Sequence, residues 1–230
     1  MSTQPRAQLV PVHAGTLARI HRRAADTVFW ELDPPRSSPR HADTEFAVQR
    51  SELDKEAWLI ARCYEQYPIG HSIAEVSADE GALATILFCP PEFAPGASRF
   101  PTAPISQDAW VITSLHIDAR AKRRGYESVL LDATIAAATS AGAQALEVFG
   151  LHEPSARDST LDDATAQAHS PIARHAAAIG LTAVPILESA GFRIVDDHPL
   201  LPRLRLSLPP VFDLMEDQEI ADLLAEAPAV

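Results

Sequence analysis

Leu115-His116-Ile117-Asp118-Ala119-Arg120-Ala121-Lys122-Arg123-Arg124-Gly125-Tyr126-Glu127-Ser128-Val129-Leu130-Leu131 is the stretch that decides the fold. It opens as the end of a nearly all-apolar strand, Trp110 to Ile117, of the kind buried on both faces. A basic turn follows, and then an apolar helix from Gly125 to Ala141 that Gly142 stops. A helix start offers free backbone N–H groups and the positive end of the helix dipole. Such a turn is an anion cradle. Four of the nineteen basic side chains, Arg120, Lys122, Arg123 and Arg124, fall within five positions of an acidic chain. That concentration points to a polyanionic ligand; a solvated basic loop is the plain alternative.

Outward from this segment the pattern is α/β. Ala145 to Phe149 reads as the next strand. Upstream, His71 to Ser77 and Ala82 to Cys89 flank Asp79-Glu80-Gly81 and read as a hairpin. Residues 90–108 are rich in proline and form a long loop. Downstream, residues 152–171 are polar. Pro185 to Ala190 reads as a helix closed at Gly191, Phe192 to Val195 as a strand, and Leu204, Leu206 and Leu208 alternate with polar residues as a last strand. The first seventy residues look helical and irregular. Leu17, Ile20 and Ala24 share a helical face, Asp33-Pro34-Pro35 breaks the chain, residues 34–47 read as a loop, and Glu52 to Tyr64 is a helix.

Composition bounds the function. The chain has 230 residues, enough for one generous domain or a domain plus an appendage. Thirty-one acids against nineteen bases give a net charge of −12. That argues against nucleic acid and against anionic membranes as partners. Cys63 and Cys89 have no paired spacing, so reduced thiols and a cytoplasmic location are expected. No apolar run approaches a membrane span. No HExxH or Cys/His spacing suggests a metal. Six acids and no base lie in residues 212–230, interleaved with Phe212, Met215, Ile220, Leu223 and Leu224. This is an acidic C-terminal tail or a short amphipathic helix after Pro209-Pro210. The division is then 1–211 (a helical part to 70, a core from 71) and 212–230. A homodimer is plausible from exposed sheet edges.

The segment 115–131 resembles motif A of the GNAT superfamily of N-acetyltransferases. That motif is a strand ending L-x-V, then Arg/Gln-x-x-Gly-x-Gly/Ala, then an apolar helix. Leu115 and Ile117 match the strand, Lys122 the Arg/Gln position, Gly125 the first glycine and Leu130-Leu131 the helix. Leu187-Glu188-Ser189-Ala190-Gly191-Phe192 resembles the superfamily's late helix ending in Gly-Phe. The likeness spans about 71 to 208. Phe29-Trp30-Glu31-Leu32-Asp33-Pro34, Glu56-Ala57-Trp58-Leu59 and Phe100-Pro101-Thr102-Ala103-Pro104 resemble an actinobacterial-type subgroup of undefined acceptor.

The resemblance implies a mixed, bent α/β (α+β) sheet of six or seven strands, helices on both faces and a splay between the two central strands. It implies acetyl-CoA as co-substrate and direct attack by the amine of a small molecule or peptide. Leu115 and Ile117 would bind the pantetheine arm through their backbone. Lys122, Arg123, Arg124, Gly125, Tyr126, Glu127 and Ser128 would hold the pyrophosphate. Glu127 departs from the motif, which wants Gly or Ala there. A carboxylate about 4 Å from a phosphate charge is repelled by about 4 kcal/mol at an effective dielectric near 20. That departure motivates an alternative: a protein of this fold with impaired acetyl-CoA binding, acting as a ligand sensor or protein-binding module. Leu187 stands where many relatives carry a proton-donating tyrosine. His116, His152 and Glu153 are the candidate proton acceptors, with Glu75 a further one. Strand alternation leaves open which face His116 uses. Cys89 reads as a small buried residue, and Trp30, Trp58 and Trp110 as core or interface.

Overall fold

The computed structural model describes residues 6–32, 52–64, 68–152 and 171–225. The chain forms an eight-stranded mixed sheet. Its strands are β1 (Ala7–Pro11), β2 (Gly70–Glu75), β3 (Ala84–Cys89), β4 (Ala109–Ile117), β5 (Ala145–Leu151), β6 (Thr182–Ala183), β7 (Arg193–Asp196) and β8 (Arg203–Ser207). They follow the order β1-β2-β3-β4-β5-β8-β7, with the two-residue β6 paired to β5 off this path. Neighbours run antiparallel except β4 with β5 and β5 with β6.

The sheet has eight strands against the six or seven expected, and the two that the sequence did not mark, β1 and β6, are short. β1 lies in a region read as helical. Its five residues end in a proline and are too few to display a period of two, and their place on the sheet edge comes from pairing with β2. The 34–47 loop and most of the polar 152–171 stretch lie outside the described residues. The long proline-rich loop contains two short 3-10 turns, Pro91–Phe93 and Pro95–Arg99.

Helices cover both faces. On one lie α3 (Tyr126–Ser140), α5 (Val184–Ser189) and α6 (Asp217–Ala225), packed with Ile86, Ile112, Leu115 and Val148 of the sheet. On the other lie α1 (Arg22–Asp26), α2 (Glu52–Cys63) and α4 (Ala176–Ile179), over Leu87, Val111 and Phe149. The acidic C-terminal segment is therefore partly helical, and it docks: Leu224 is buried in the α3-side core. Among the described residues no helix is long and apolar enough to cross a membrane.

Two irregularities shape β4. The first is a bulge: Phe88 pairs with Ile112 but Leu87 pairs with Ser114, so Thr113 is an extra residue. The bulge flips the strand's parity. Before it, Ile112 faces the α3 side and Val111 the α1 side; after it, Leu115 faces the α3 side. Ser114 and His116 consequently turn toward α1 and α4. The second is a splay. β4 and β5 pair from Ala109↔Ala145 to Ile112↔Val148 and no further, although both strands continue.

Candidate active site

The gap beyond Ile112 and Val148 is bounded by the end of β4, the turn into α3 and the α4–β6 segment. Asp118 donates its N–H to Leu83 on the β3 side. By backbone alternation Leu115 and Ile117 point their N–H groups the other way, into the gap. Leu115 donates to the Gly180 carbonyl at 2.9 Å. On the far side of the gap, Gly150 and Leu151 of β5 pair with Thr182 and Ala183. Residues 180–183 thus bridge the two separated strands.

The turn from β4 into α3 carries two residues in the left-handed region, Arg123 at φ 64° and Gly125 at φ 75°. A non-glycine residue there is held at a cost. Gly125 is the N-cap of α3 and has no side-chain cap, so the first N–H groups of the helix are left to another partner. A side chain at Gly125 would be strained by its φ and crowded: a Cβ would lie 3.2 Å from Leu223 Cδ2 of α6. The acidic helix therefore packs directly on the basic turn.

A cavity of about 170 Å³ lies beside the gap. Leu115, His116, Ile117, Lys122 and Glu127 line it, together with Gly180. Five of the sequence-predicted residues are thereby brought together. Arg123, Arg124, Gly125, Tyr126 and Ser128 do not line it. Tyr126 is wholly buried in the core, so only its backbone is available to a ligand. Glu127 lines the same cavity as Lys122, so an acidic residue stands beside the space an anion would use.

The face of His116 is settled by the Thr113 bulge. Its ring stacks on His21 from the start of α1, with centroids 5.6 Å apart and planes 8° from parallel. His116 Nε2 is buried and has no hydrogen-bond partner. Burial, reinforced by the charges of His21, Lys55 and Arg23, pushes the His116 pKa down to about 3, so the ring is neutral. His21 is fixed on both nitrogens. Its Nδ1 accepts the Arg23 N–H at 3.2 Å, which leaves the proton on Nε2, 3.2 Å from Asp118 Oδ1. Burial lowers the His21 pKa despite Asp118.

His152 lies at the end of β5, donates its N–H to Leu200 and does not line this cavity. Glu153 lies outside the described residues. Glu75 belongs to a neighbouring cavity of about 330 Å³, where Arg120 Nη1 approaches its Oε1 at 3.1 Å. Cys89 is fully buried and its thiol pKa is pushed up by burial, an inert packing residue. Trp30 is likewise core, stacked on Phe100. Among the described residues no cluster of His, Cys, Asp or Glu could hold a metal ion.

Sequence reading missed His21, Ser114 and Gly180. His21 precedes a five-residue helix and carries no motif. Gly180 is remote from β4 in sequence, and nothing local announces their contact.

The chain matches no protein-family model and no curated protein sequence. It is similar to solved structures of acetyltransferases. An N-acetyltransferase from Staphylococcus aureus Mu50 is 15% identical, with 88% of this chain and 98% of that one covered and a TM-score of 0.47. A GNAT-family acetyltransferase from Bacillus anthracis is 9% identical, with 90% and 98% covered and a TM-score of 0.44. A Salmonella typhimurium protein solved with its cofactor acetyl-CoA is 11% identical, with 88% and 94% covered and a TM-score of 0.46. At these identities and TM-scores the likeness carries no weight for function, which rests on the β4–α3 junction itself.

Proposed function

We propose that the chain is a GNAT-type acetyltransferase that moves the acetyl group of acetyl-CoA to a primary amine on a small molecule or peptide. One observation carries this reading. The splay of β4 from β5 leaves Leu115 and Ile117 directing N–H groups into a gap that ends at Lys122 and the uncapped start of α3.

The residues present fit the donor in three respects. Lys122 and the α3 N–H groups suit a diphosphate. The strand amides suit the amides of a pantetheine arm. The unpartnered His116 Nε2 suits a group arriving at the thioester. Acetyl-CoA supplies an activated acyl group bound to sulfur. The Leu115 N–H, once released from Gly180, polarises the carbonyl oxygen. His116 Nε2 would orient the attacking nitrogen, whose proton would pass to solvent as the C–N bond forms and the C–S bond breaks; a ring held near pKa 3 is a positioning group and a weak base. Leu187 is fully buried and apolar, so the departing thiolate takes its proton from solvent.

Glu127 favours a second reading. It lines the same cavity as Ile117 and Lys122, where a diphosphate would be repelled. On that reading the chain is a protein of this fold with impaired acetyl-CoA binding, serving as a ligand sensor or protein-binding module. Calorimetric titration with acetyl-CoA and with CoA separates the two. Micromolar binding to the unmodified chain supports the acetyltransferase. No binding at millimolar ligand, restored by Glu127→Gly, supports the second reading. No binding by either protein removes the acetyl-CoA reading altogether.

A further inference from the structure

The end of β4 holds two buried polar groups with nothing to bond. Ser114 Oγ and His116 Nε2 each lack a hydrogen-bond partner, and both residues are 3% exposed. The Thr113 bulge turns both toward the same side of the strand, flanking the Leu115 amide. A buried group without a partner calls for an explanation, and a ligand that supplies the missing bond is one.

What lies against them is Gly180. A Cβ there would come within 2.7 Å of Ser114 Cβ, 2.9 Å of His116 Nε2 and 2.9 Å of the Leu115 nitrogen. Only glycine fits that close an approach, and its φ of 76° requires glycine a second time. Its carbonyl takes the Leu115 N–H and leaves the two side chains unsatisfied. The backbone on either side of Gly180 is held to the rest of the protein by a few separate anchors. Trp30 Nε1 donates to the Ile179 carbonyl at 2.8 Å, Thr27 Oγ1 to the Ala178 carbonyl at 3.2 Å, and β6 pairs over two residues only.

We propose that residues 176–183 are an internal plug, with the Gly180 carbonyl seated where the acetyl carbonyl of the donor binds and with Ser114 and His116 as the groups that meet the acceptor amine once the plug withdraws. This rests on the acetyl-CoA reading and extends it to a regulated site. The plugged and open forms compete for one donor, the Leu115 N–H. A ligand that binds only the open form has its affinity reduced by the fraction that is open. Ser114 Oγ offers a lone pair to one N–H of a primary amine, and His116 Nε2 offers a second in the tautomer that carries its proton on Nδ1.

The test is calorimetric titration of the full chain, wild type and variants, with acetyl-CoA and with CoA. Hydrogen exchange at the Leu115 amide is followed in parallel. Gly180→Ala forces the plug off β4. It should speed exchange at Leu115 and tighten acetyl-CoA binding about tenfold, with a smaller gain for CoA, which has no acetyl carbonyl to seat. Thr27→Val removes one anchor without touching the core contact at Gly180. It should move both readouts the same way by a smaller factor, so the test survives if Gly180→Ala fails to fold.

Three outcomes overturn the plug. If wild type binds acetyl-CoA and the variants open without gaining affinity, the plug falls and the acetyl-CoA reading stands. If the variants gain equally for acetyl-CoA and CoA, Gly180 does not occupy the acetyl site. If Leu115 exchanges faster in the variants but none of the proteins binds either ligand at millimolar concentration, both proposals fall together.

Discussion

Lys55 Nζ donates to Glu31 Oε1 between α2 and the segment after α1, with both side chains only 1% exposed. Glu31 Oε2 has no partner, and the Lys55 ammonium also lies 5.4 Å over the Trp58 ring. A buried pair of this kind adds little net stability, but breaking it strands a charge in the interior. Lys55→Met should therefore destabilise the fold by about 3–5 kcal/mol. The double variant Lys55→Met/Glu31→Leu should recover most of that loss. Chemical denaturation of the two single variants and the double variant gives the coupling. Additive losses would show that the two side chains do not depend on each other.

Acid should weaken the fold through its buried histidines. Burial pushes the His71 pKa down to about 4 and the His116 pKa down to about 3, against an ordinary 6.5. In both cases the unfolded chain binds the proton first. Stability is complete above pH 6.5 and falls as pH drops from there toward pH 4 for His71 and pH 3 for His116. His71→Leu should remove roughly 3 kcal/mol of that acid loss, since each tenfold weakening of proton binding by the fold is worth about 1.4 kcal/mol. Denaturation midpoints of both proteins between pH 7 and pH 4 make the comparison. Parallel curves would exclude His71 as a source of the acid limb.

A carboxylate clamp ties the far half of the sheet together. Glu147 on β5 is fully buried and accepts from Arg203 Nη1 at 2.7 Å, Arg205 Nη1 at 3.0 Å and the Ser106 N–H at 3.0 Å. The bonds from Ser106 and the two arginines outweigh burial and hold its pKa below the usual carboxylate range. Glu147→Gln keeps the shape and removes the charge, leaving Arg205 to Asp108 and Arg203 to a 3.5 Å approach from Asp196. It should cost about 1.5–3 kcal/mol, the range for losing hydrogen bonds to a charged group. Thermal unfolding at pH 7 reads the loss, and an unchanged midpoint would mark the clamp as dispensable.

The turn into α3 should be sensitive to single atoms. Gly125→Ala places a Cβ at φ 75° and against Leu223. The left-handed conformation alone should cost about 1–2 kcal/mol. Leu223→Ala in the same chain should relieve the contact but not the backbone strain, so only part of the loss should return. If acetyl-CoA binds as proposed, Lys122→Ala should weaken it about tenfold through one lost charge-assisted bond while leaving stability within about 0.5 kcal/mol.

Much of the fold was legible in the sequence. The hairpin of β2 and β3, the β4–turn–α3 passage and the late helix ending at Gly191 lie within a few residues of their expected places. These elements carry strong local signals, such as Gly81 at φ 74° in the turn cluster. β1 and β6 were not legible, because five and two residues are too few to show a period and exist only through their partners. The residues lining the cavity were half legible. Leu115, Ile117, Lys122 and Glu127 sit in one contiguous motif. His21 and Gly180 reach β4 from distant parts of the chain. The orientation of His116 could not be read from alternation, because the stretch Trp110 to Leu115 contains an extra residue, Thr113, that no propensity marks.

That extra residue, Thr113, lets β4 carry one residue more than its partner strand needs. Were it deleted, Ile112, Ser114, Leu115 and His116 would alternate regularly and keep the partners Phe88, Leu87, Ile86 and Thr85 that they have now. Drawing Thr113 flat into the ladder would do the opposite. Leu115 and Ile117 would then face His21, and His116 would be driven into the aliphatic layer under α3. The imidazole and the aliphatic side chains would trade compartments with no change of sequence at all. The compartment of His116 is thus set by where the strand stores its surplus residue, not by what that residue is.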